Sequence, residues 1–195
     1  MTVVWLERVL ESGIQFVEFF CARQCLDYRD REQIGELGHW FRDTPMQLHS
    51  VHSPMFNDDC WGRTGPSSIV NIAEPQRMQR RAAVDEVKRA LEIAEVIPFR
   101  YLIQHLGVGD DEFSDHKLDA AFASLEELNV FARQRGVEIL LENIPNRLSS
   151  AERLLYFLGI THLDNKFCFD VGHAHLMGGI EREFDLMKDR IRSTH

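Results

Sequence analysis

The chain has 195 residues, of which 44% are hydrophobic and 27% are charged, the balance of an ordinary globular protein. Its formal net charge of -9 repels phosphate backbones, so nonspecific nucleic-acid binding is not expected as the main function. Residues 1–10 lack the pattern of a signal peptide, and no apolar run approaches the roughly 20 residues that cross a bilayer.

Strand-like and helix-like segments alternate along the chain. The first part predicts helix 3–12 ended by Gly13, strand 14–20, helix 29–42, strand 46–52, a polar loop 55–73, and helix 75–96 with Pro75 in its first turn. The second part predicts strand 99–106, a helix marked by Leu118 to Ala132, strand 137–144, helix 150–158 with a Ser149/Glu152 capping box and Gly159 as its end, strand 166–171, helix 180–190 and strand 191–195. This alternation indicates an α/β fold with parallel strands, either a doubly wound sheet or a (β/α) barrel.

Five predicted strands in succession end in a residue that can bind a divalent metal. These residues are His52, His105, Glu142, Asp170 and His195. Because the carboxyl ends of parallel strands face one way, the five side chains are expected to meet in one site. Carboxylates mixed with imidazoles suit Mn, Zn, Co or Fe(II), and such a metal polarises a substrate oxygen or activates a water. Taken singly, Glu142 also fits a salt-bridged strand residue, and each histidine fits a hydrogen-bonded core position.

Three further residues lie close to these strand ends. The spacing Asp170-Val-Gly-His173 brings an imidazole back beside the Asp170 carboxylate. His173 and His175 both follow the strand in a predicted Gly-rich loop, and only one of them need lie in the site. Glu18, midway along the first strand, either points into the pocket or pairs with a Lys or Arg.

Side-chain alternation assigns the faces of strand 46–52. Leu48, Ser50 and His52 are expected to share the face of the site. His49 then lies on the opposite face, outside the site, unless a bulge intervenes.

At these residues the chain resembles the xylose isomerase-like TIM-barrel superfamily. This superfamily contains sugar (phosphate) isomerases and epimerases, and the AP endonucleases of the endonuclease IV kind (AP endonuclease family 2). The matching segments are Leu48-His-Ser-Val-His52-Ser-Pro, Tyr101-Leu-Ile-Gln-His105-Leu-Gly, Leu140-Leu-Glu142-Asn143-Ile-Pro, Phe169-Asp170-Val-Gly-His173-Ala-His and Ser193-Thr-His195. The resemblance implies that residues 1–195 are one incomplete TIM-barrel domain of the α/β class.

The resemblance implies a metal-binding and catalytic role for three residues. Glu142, Asp170 and His195 look like three of the four ligands of the single divalent metal of the epimerases. The fourth ligand would be a Glu on the last strand of the family. Glu142 also looks like a catalytic acid/base residue that moves a proton beside a carbonyl.

Other roles follow from the same resemblance. His173 resembles a residue that contacts substrate hydroxyls in the epimerases and binds zinc in the endonucleases. His52 and His105 look like further metal ligands of the endonuclease pattern. Glu18 is assigned to substrate binding for the case in which it faces the pocket.

The resemblance also implies a length that the chain does not reach. A (β/α)₈ barrel typically takes about 250 residues and eight strands, whereas the sequence predicts six. The chain opens on what looks like the first helix and stops near the seventh strand of the family order. We therefore expect a sequence truncated at both ends, in which an open barrel leaves strand edges and an apolar interior exposed.

Three functions stay open at this point. The first is a divalent-metal-dependent isomerase or epimerase of a sugar or sugar phosphate. Its cofactor would be Mn, Zn, Co or Mg, and no nucleic-acid or membrane partner is expected. A homo-oligomer is one possible assembly. The second is a zinc-dependent AP endonuclease that uses His52, His105 and His173. The third is an inactive fragment of either.

Scattered cysteines without zinc-finger spacing are expected as reduced thiols of a cytoplasmic protein: Cys21, Cys25, Cys60 and Cys168.

Overall fold

The computed structural model describes residues 2–109 and 111–195 of the chain. Within these ranges the strands are β1 (Phe16–Phe20), β2 (Gln47–His52), β3 (Tyr101–His105), β4 (Glu138–Glu142), β5 (Lys166–Phe169) and β6 (Ile191–Thr194). The helices are α1 (Val3–Glu11), α2 (Arg31–Asp43), α3 (Arg77–Glu92), α4 (Asp115–Arg133), α5 (Ala151–Ile160), α6 (Val171–Leu176) and α7 (Ile180–Met187). The predicted alternation of strands and helices is confirmed.

All strands pair in parallel, in the sheet order β1-β2-β3-β4-β5-β6. The sheet curls so far that His195 Nε2, just after β6, lies 2.8 Å from Glu18 Oε1 in β1. No backbone ladder joins β1 to β6 within residues 2–109 and 111–195. The fold is therefore an incomplete α/β TIM barrel of six strands, as the resemblance implied.

Apolar side chains pack on both faces of the curled sheet. The main core lies between the sheet and the helices and includes Phe19, Leu102 and Phe167, none more than 1% exposed. A small inner cluster contains the following side chains: Tyr101, Ile103, Leu140 and Cys168. The inner cluster therefore lies on the same face of the strands as the strand-end residues. Among the helices of the described residues, none is long and apolar enough to cross a membrane.

The predicted face of Leu48 is wrong because β2 contains a bulge. Consecutive residues of β1 pair with Leu48 and then with Ser50, which leaves His49 as an extra residue. Leu48 is consequently buried in the main core, while Ser50 bonds to Glu18 on the inner face. The His49 ring packs 5.3 Å from that of Tyr101, near the amino ends of the strands, away from the strand-end residues.

The start of α3 lies later than predicted. Gln76 is the N-cap, and its side chain accepts a hydrogen bond from the Gln79 amide at 2.8 Å. Pro75 thus precedes the cap instead of lying in the first helical turn. The helix ends earlier as well, because residues Ile93–Glu95 continue as a 3₁₀ turn.

The predicted capping box at the start of α5 is displaced by one residue. Ser150 is the N-cap and accepts from the Arg153 amide at 3.4 Å. The Ser149 hydroxyl instead donates to the Leu106 carbonyl and so ties two loops together. Gly159 lies inside the helix and does not end it.

Candidate metal centre

The carboxyl ends of the strands bring all predicted site residues into one cluster around Glu142. Its members are Glu18, His52, His105, Glu142, Asp170, His173 and His195. Glu142 closes β4 and is only 1% exposed. Within the part of the chain that the structure describes, no lysine or arginine lies within ion-pair distance of it; the basic side chains beside it are imidazoles.

One oxygen of Glu142 faces two imidazoles. Its Oε2 lies 2.8 Å from His105 Nε2 and 3.3 Å from His52 Nε2. His52 Nδ1 lies 2.8 Å from the Ser53 carbonyl, which can only accept, so Nδ1 donates and Nε2 of the neutral ring carries a lone pair. When the His52 ring is neutral, its Nε2 and Glu142 Oε2 are both acceptors, so that a proton or a cation is needed between them.

The other oxygen of Glu142 faces the end of β6. Glu142 Oε1 lies 3.0 Å from His195 Nδ1, and the Nε2 of the same ring lies 2.8 Å from Glu18 Oε1. Ser50 Oγ donates to Glu18 Oε2 at 2.5 Å. Of the two alternatives for Glu18, the structure therefore shows the one in which the carboxylate points into the pocket.

The segment after β5 is a short helix and not the predicted Gly-rich loop. Asp170 is the N-cap of α6, and its Oδ1 accepts from the His173 amide at 2.6 Å. His173 Nδ1 lies 2.9 Å from the Asn143 carbonyl and donates to it, which leaves Nε2 as an acceptor for a ligand. His175 is exposed and lies outside the cluster.

Asn143 is a positioning residue that the sequence analysis did not assign. Its Nδ2 donates to the Asp170 carbonyl at 2.9 Å, and its Oδ1 accepts from the Asp170 amide at 2.8 Å. The side chain is fully buried. Asn143 thereby holds together the ends of β4 and β5, which carry Glu142 and Asp170. The Glu-Asn pair of the β4 segment was the available signal.

The electrostatics of the cluster follow from a buried carboxylate among imidazoles. Burial raises the pKa of Glu142, but hydrogen bonds with His105, His195 and His52 outweigh it and hold that pKa well below its usual range. Hydrogen bonds to Cys168, Glu142 and Glu18 raise the pKa of His195. Burial lowers the pKa of His105. A cation at this position would meet a carboxylate that is already ionised.

The donor set fits a divalent metal. Two groups of residues place their ligand atoms within 4.8 Å of one another: His52 with His105 and Glu142, and Glu142 with Asp170 and His173. Both groups contain Glu142, so the carboxylate is the centre of the arrangement. Imidazole nitrogens together with carboxylate oxygens suit Mn, Zn, Co or Fe(II).

Residues 6–195 match a family whose description is xylose isomerase-like TIM barrel. Two uncharacterized proteins of Methanocaldococcus jannaschii are similar in sequence. One is 26% identical over 193 residues, which cover 96% of this chain and 68% of that protein. The other is 29% identical over 123 residues, which cover 58% of this chain and 41% of that protein.

Several solved structures have a similar fold. A D-tagatose 3-epimerase-like protein is 23% identical with a TM-score of 0.77, covering 97% of this chain and 70% of that one. L-ribulose 3-epimerase is 19% identical with a TM-score of 0.75, and the match covers 100% of this chain and 64% of that one. The IolI protein, with a bound zinc atom, is 17% identical with a TM-score of 0.65, and the match covers 92% of this chain and 61% of that one. At these identities the likeness shows the fold.

Proposed function

The chain belongs to the xylose isomerase-like TIM-barrel family, and we propose from that membership that it acts in the divalent-metal-dependent isomerisation or epimerisation of a sugar or sugar phosphate. The observation that carries the proposal is the buried Glu142 carboxylate, surrounded by imidazoles at the strand ends. Similarity in fold to a D-tagatose 3-epimerase-like protein and to L-ribulose 3-epimerase supports the substrate class. The zinc atom of the IolI protein supports a divalent metal.

The residues that would hold the metal are Glu142, Asp170 and His195, with His52, His105 and His173 as further ligands within reach. When bound there, a divalent metal would polarise the carbonyl and hydroxyl oxygens of the sugar. Asn143 orients both Asp170 and His173 through its hydrogen bonds. The side chains that hold the metal are thus fixed by the backbone that follows β4 and β5.

The proposed chemistry is proton transfer next to the carbonyl of the sugar. Glu142 accepts a proton from the adjacent carbon, whose C–H electron pair enters an enediolate. Inversion requires a second acid that gives a proton to the opposite face of that carbon, the role that the family gives to the Glu of its last strand, whereas transfer of the proton from Glu142 to the neighbouring carbon isomerises the sugar. Glu18, beside His195, and His173, with its free Nε2, are proposed to contact substrate hydroxyls.

Proton exchange with deuterated water tests this proposal. The protein is incubated with Mn, Zn or Co and a panel of ketoses and ketose phosphates, and deuterium at the carbon next to the carbonyl is followed by NMR. We expect Glu142→Gln to slow the exchange by about a hundredfold or more. Glu138→Gln is the matched control, because Glu138 lies on the inner face at the other end of β4. The proposal fails if no sugar exchanges metal-dependently, or if Glu142→Gln exchanges normally.

A second function is favoured by the overlap of the two ligand groups at Glu142, because overlapping groups can hold more than one ion. This is a zinc-dependent AP endonuclease, in which His52, His105 and His173 also bind metal. It predicts about three zinc ions per chain by elemental analysis, together with nicking of abasic duplex DNA. A single bound ion contradicts it.

A further inference from the structure

A cleft lies at the amino ends of β1 and β2, the end of the sheet opposite to Glu142. Its walls are the end of α2, the start of β2 and the segment between α3 and β3. The volume of the cleft is about 750 Å³, which lies within the range of small-molecule sites. Its described lining shares no residue with the strand-end cluster around Glu142. A ligand bound there would therefore be distinct from the proposed substrate.

The interior of the cleft is apolar, and part of that surface faces water. Phe41, Met46 and Phe99 line the cleft. Phe16 and Val96 line it as well, and they are 55% and 43% exposed. A ligand that covers such side chains removes apolar surface from water, which favours binding. The cleft therefore suits a ligand with an apolar part.

The charged side chains that line the cleft are cationic. Arg42 and Arg100 line it together with His49, and the described lining contains no Asp or Glu. Within the part of the chain that the structure describes, neither arginine has an ion-pair partner. The Arg100 guanidinium lies 5.0 Å from the centroid of the Tyr101 ring. The cleft is thus locally positive, although the formal net charge of the chain is -9.

Three acidic residues lie close to the cleft in sequence or in strand register without lining it: Asp43, Glu95 and Glu138. Glu95 is already paired with Arg135 at 2.6 Å. Over residues 2–109 and 111–195, the carboxylates of Asp43 and Glu138 form no ion pair with either arginine of the cleft. The two guanidinium groups consequently stay available to an anionic ligand.

The bulge in β2 places a further polar group at the cleft. The His49 ring lies 5.3 Å from the Tyr101 ring and 6.1 Å from the Phe16 ring. The His49 carbonyl accepts from the Arg100 amide at 3.0 Å, so β2 and the segment before β3 are fixed to each other. Among the described residues the His49 ring nitrogens have no hydrogen-bond partner. They can therefore bond to a ligand oxygen.

We propose that this cleft is a second ligand site, which binds a small carboxylate with an apolar tail. Arg42 and Arg100 attract the carboxylate, because the guanidinium fork matches carboxylate oxygens. The tail covers Phe16 and Val96. The site is independent of the proposed function, since it lies at the other end of the strands from Glu142.

Isothermal titration calorimetry with octanoate tests the proposal on the metal-free chain in the presence of a chelator. Saturable binding of one octanoate per chain is expected. Octanol keeps the tail without the charge, and inorganic phosphate keeps a charge without the tail. Each is expected to bind at least about tenfold more weakly than octanoate, because each lacks one of the two contributions.

Variants of the two arginines separate a specific site from general binding to apolar surface. The Arg42→Gln/Arg100→Gln double variant is expected to bind octanoate about tenfold more weakly or worse. The Arg42→Lys/Arg100→Lys variant keeps the charges and is expected to retain most of the affinity. Arg192→Gln, at an exposed arginine on β6, is the control and should bind as the wild type does. Urea unfolding confirms that each variant is folded.

Amide NMR shifts locate the bound octanoate. Shifts that saturate at residues 47–49 and 96–100 support the proposal. Shifts confined to the strand ends around Glu142 overturn it, as do an absence of saturable binding, equal affinity for octanol or phosphate, and unchanged affinity in the folded Arg42→Gln/Arg100→Gln variant. Proton exchange on ketoses is measured separately, so these outcomes leave the proposed function untouched.

Discussion

The Asn143 side chain positions the candidate ligand Asp170 through hydrogen bonds to its backbone. Replacing it by Ala removes the two hydrogen bonds that its side chain makes to the Asp170 backbone, whereas the backbone carbonyl that accepts from His173 Nδ1 remains. We expect Asn143→Ala to lower the free energy of unfolding by about 1–3 kcal/mol, because buried backbone groups lose their partners. Metal affinity should fall about 10–100-fold, since Asp170 is no longer oriented. Urea unfolding and a metal titration measure the two effects.

Asn129 supplies the matched control for this prediction. Its amide forms a reciprocal pair with Asn165 at 2.9 and 3.0 Å, outside the candidate metal centre. Asn129→Ala should therefore cost stability and leave metal affinity unchanged. Equal metal affinity in the two variants would show that Asn143 has no positioning role.

Single residues also show where sequence reasoning reaches its limit. Parallel strand order alone indicates that His105, Glu142 and Asp170 meet, because the carboxyl ends of the strands share one edge. The hydrogen bonds of Asn143 depend on the path of the backbone after β4 and β5. That path is set by packing between elements, so no spacing in the sequence predicts it.

The bulge in β2 shows the same limit for an element. Residues 46–52 contain polar and apolar side chains on both faces, so one extra residue leaves a pattern that still looks alternating. The displaced cap of α5 has a similar cause: Ser149 and Ser150 are both able to cap, and packing of Ser149 on the Leu106 carbonyl decides between them. Strands and helices are thus predictable as elements, while their register to within one residue is not.

Deleting His49 tests the importance of the bulge. The deletion would turn Leu48 to the inner face and bring Gln47 toward the main core. We expect a loss of about 3 kcal/mol in the free energy of unfolding, because a buried leucine is lost and a polar amide is buried. His49→Val keeps the bulge and should change stability by less than about 1 kcal/mol. Urea unfolding compares them, and equal stability of the deletion and the wild type would contradict the prediction.

Glu86 on α3 joins that helix to the segment before α2. The Tyr28 hydroxyl donates to it at 2.7 Å, and Arg29 Nη2 lies 2.6 Å away. Burial raises the pKa of Glu86, but the hydrogen bonds from Arg29 and Tyr28 outweigh it, so the pKa lies below the usual 4.5. A lowered pKa stabilises the fold above the unfolded-state value, and this contribution is lost as the pH falls through the folded-state value.

Glu86→Gln should therefore destabilise the protein at neutral pH by on the order of 2 kcal/mol. The difference from wild type should shrink as the pH falls below 4.5. Urea unfolding across this pH range measures the difference. Glu152→Gln, which breaks an exposed pair with Arg182, is the control and should have little effect at any pH. A difference that stays constant with pH would contradict the assignment to Glu86.

At the scale of the molecule, the side-chain cluster around Glu142 links the two ends of the sheet. Glu18 belongs to β1, His195 follows β6, and both meet beside Glu142 of β4. Over the described residues no backbone ladder connects β1 with β6. Side chains at the carboxyl ends of the strands therefore provide a connection across this gap. A ligand bound by these side chains is expected to stabilise the whole sheet.

Metal addition should consequently raise the thermal stability of the chain. A ligand at a hundred times its Kd stabilises the native state by about 2.7 kcal/mol, which corresponds to roughly 5–10 °C in Tm for a domain of this size. Scanning calorimetry with Mn or Zn, before and after a chelator, measures the shift. Glu142→Gln should lose it, because the carboxylate shared by both ligand groups is gone. Glu138→Gln should keep it, because Glu138 lies at the opposite end of β4. The same shift in Glu142→Gln would place the bound metal elsewhere, and no shift in the wild type would contradict a metal centre that joins the ends of the sheet.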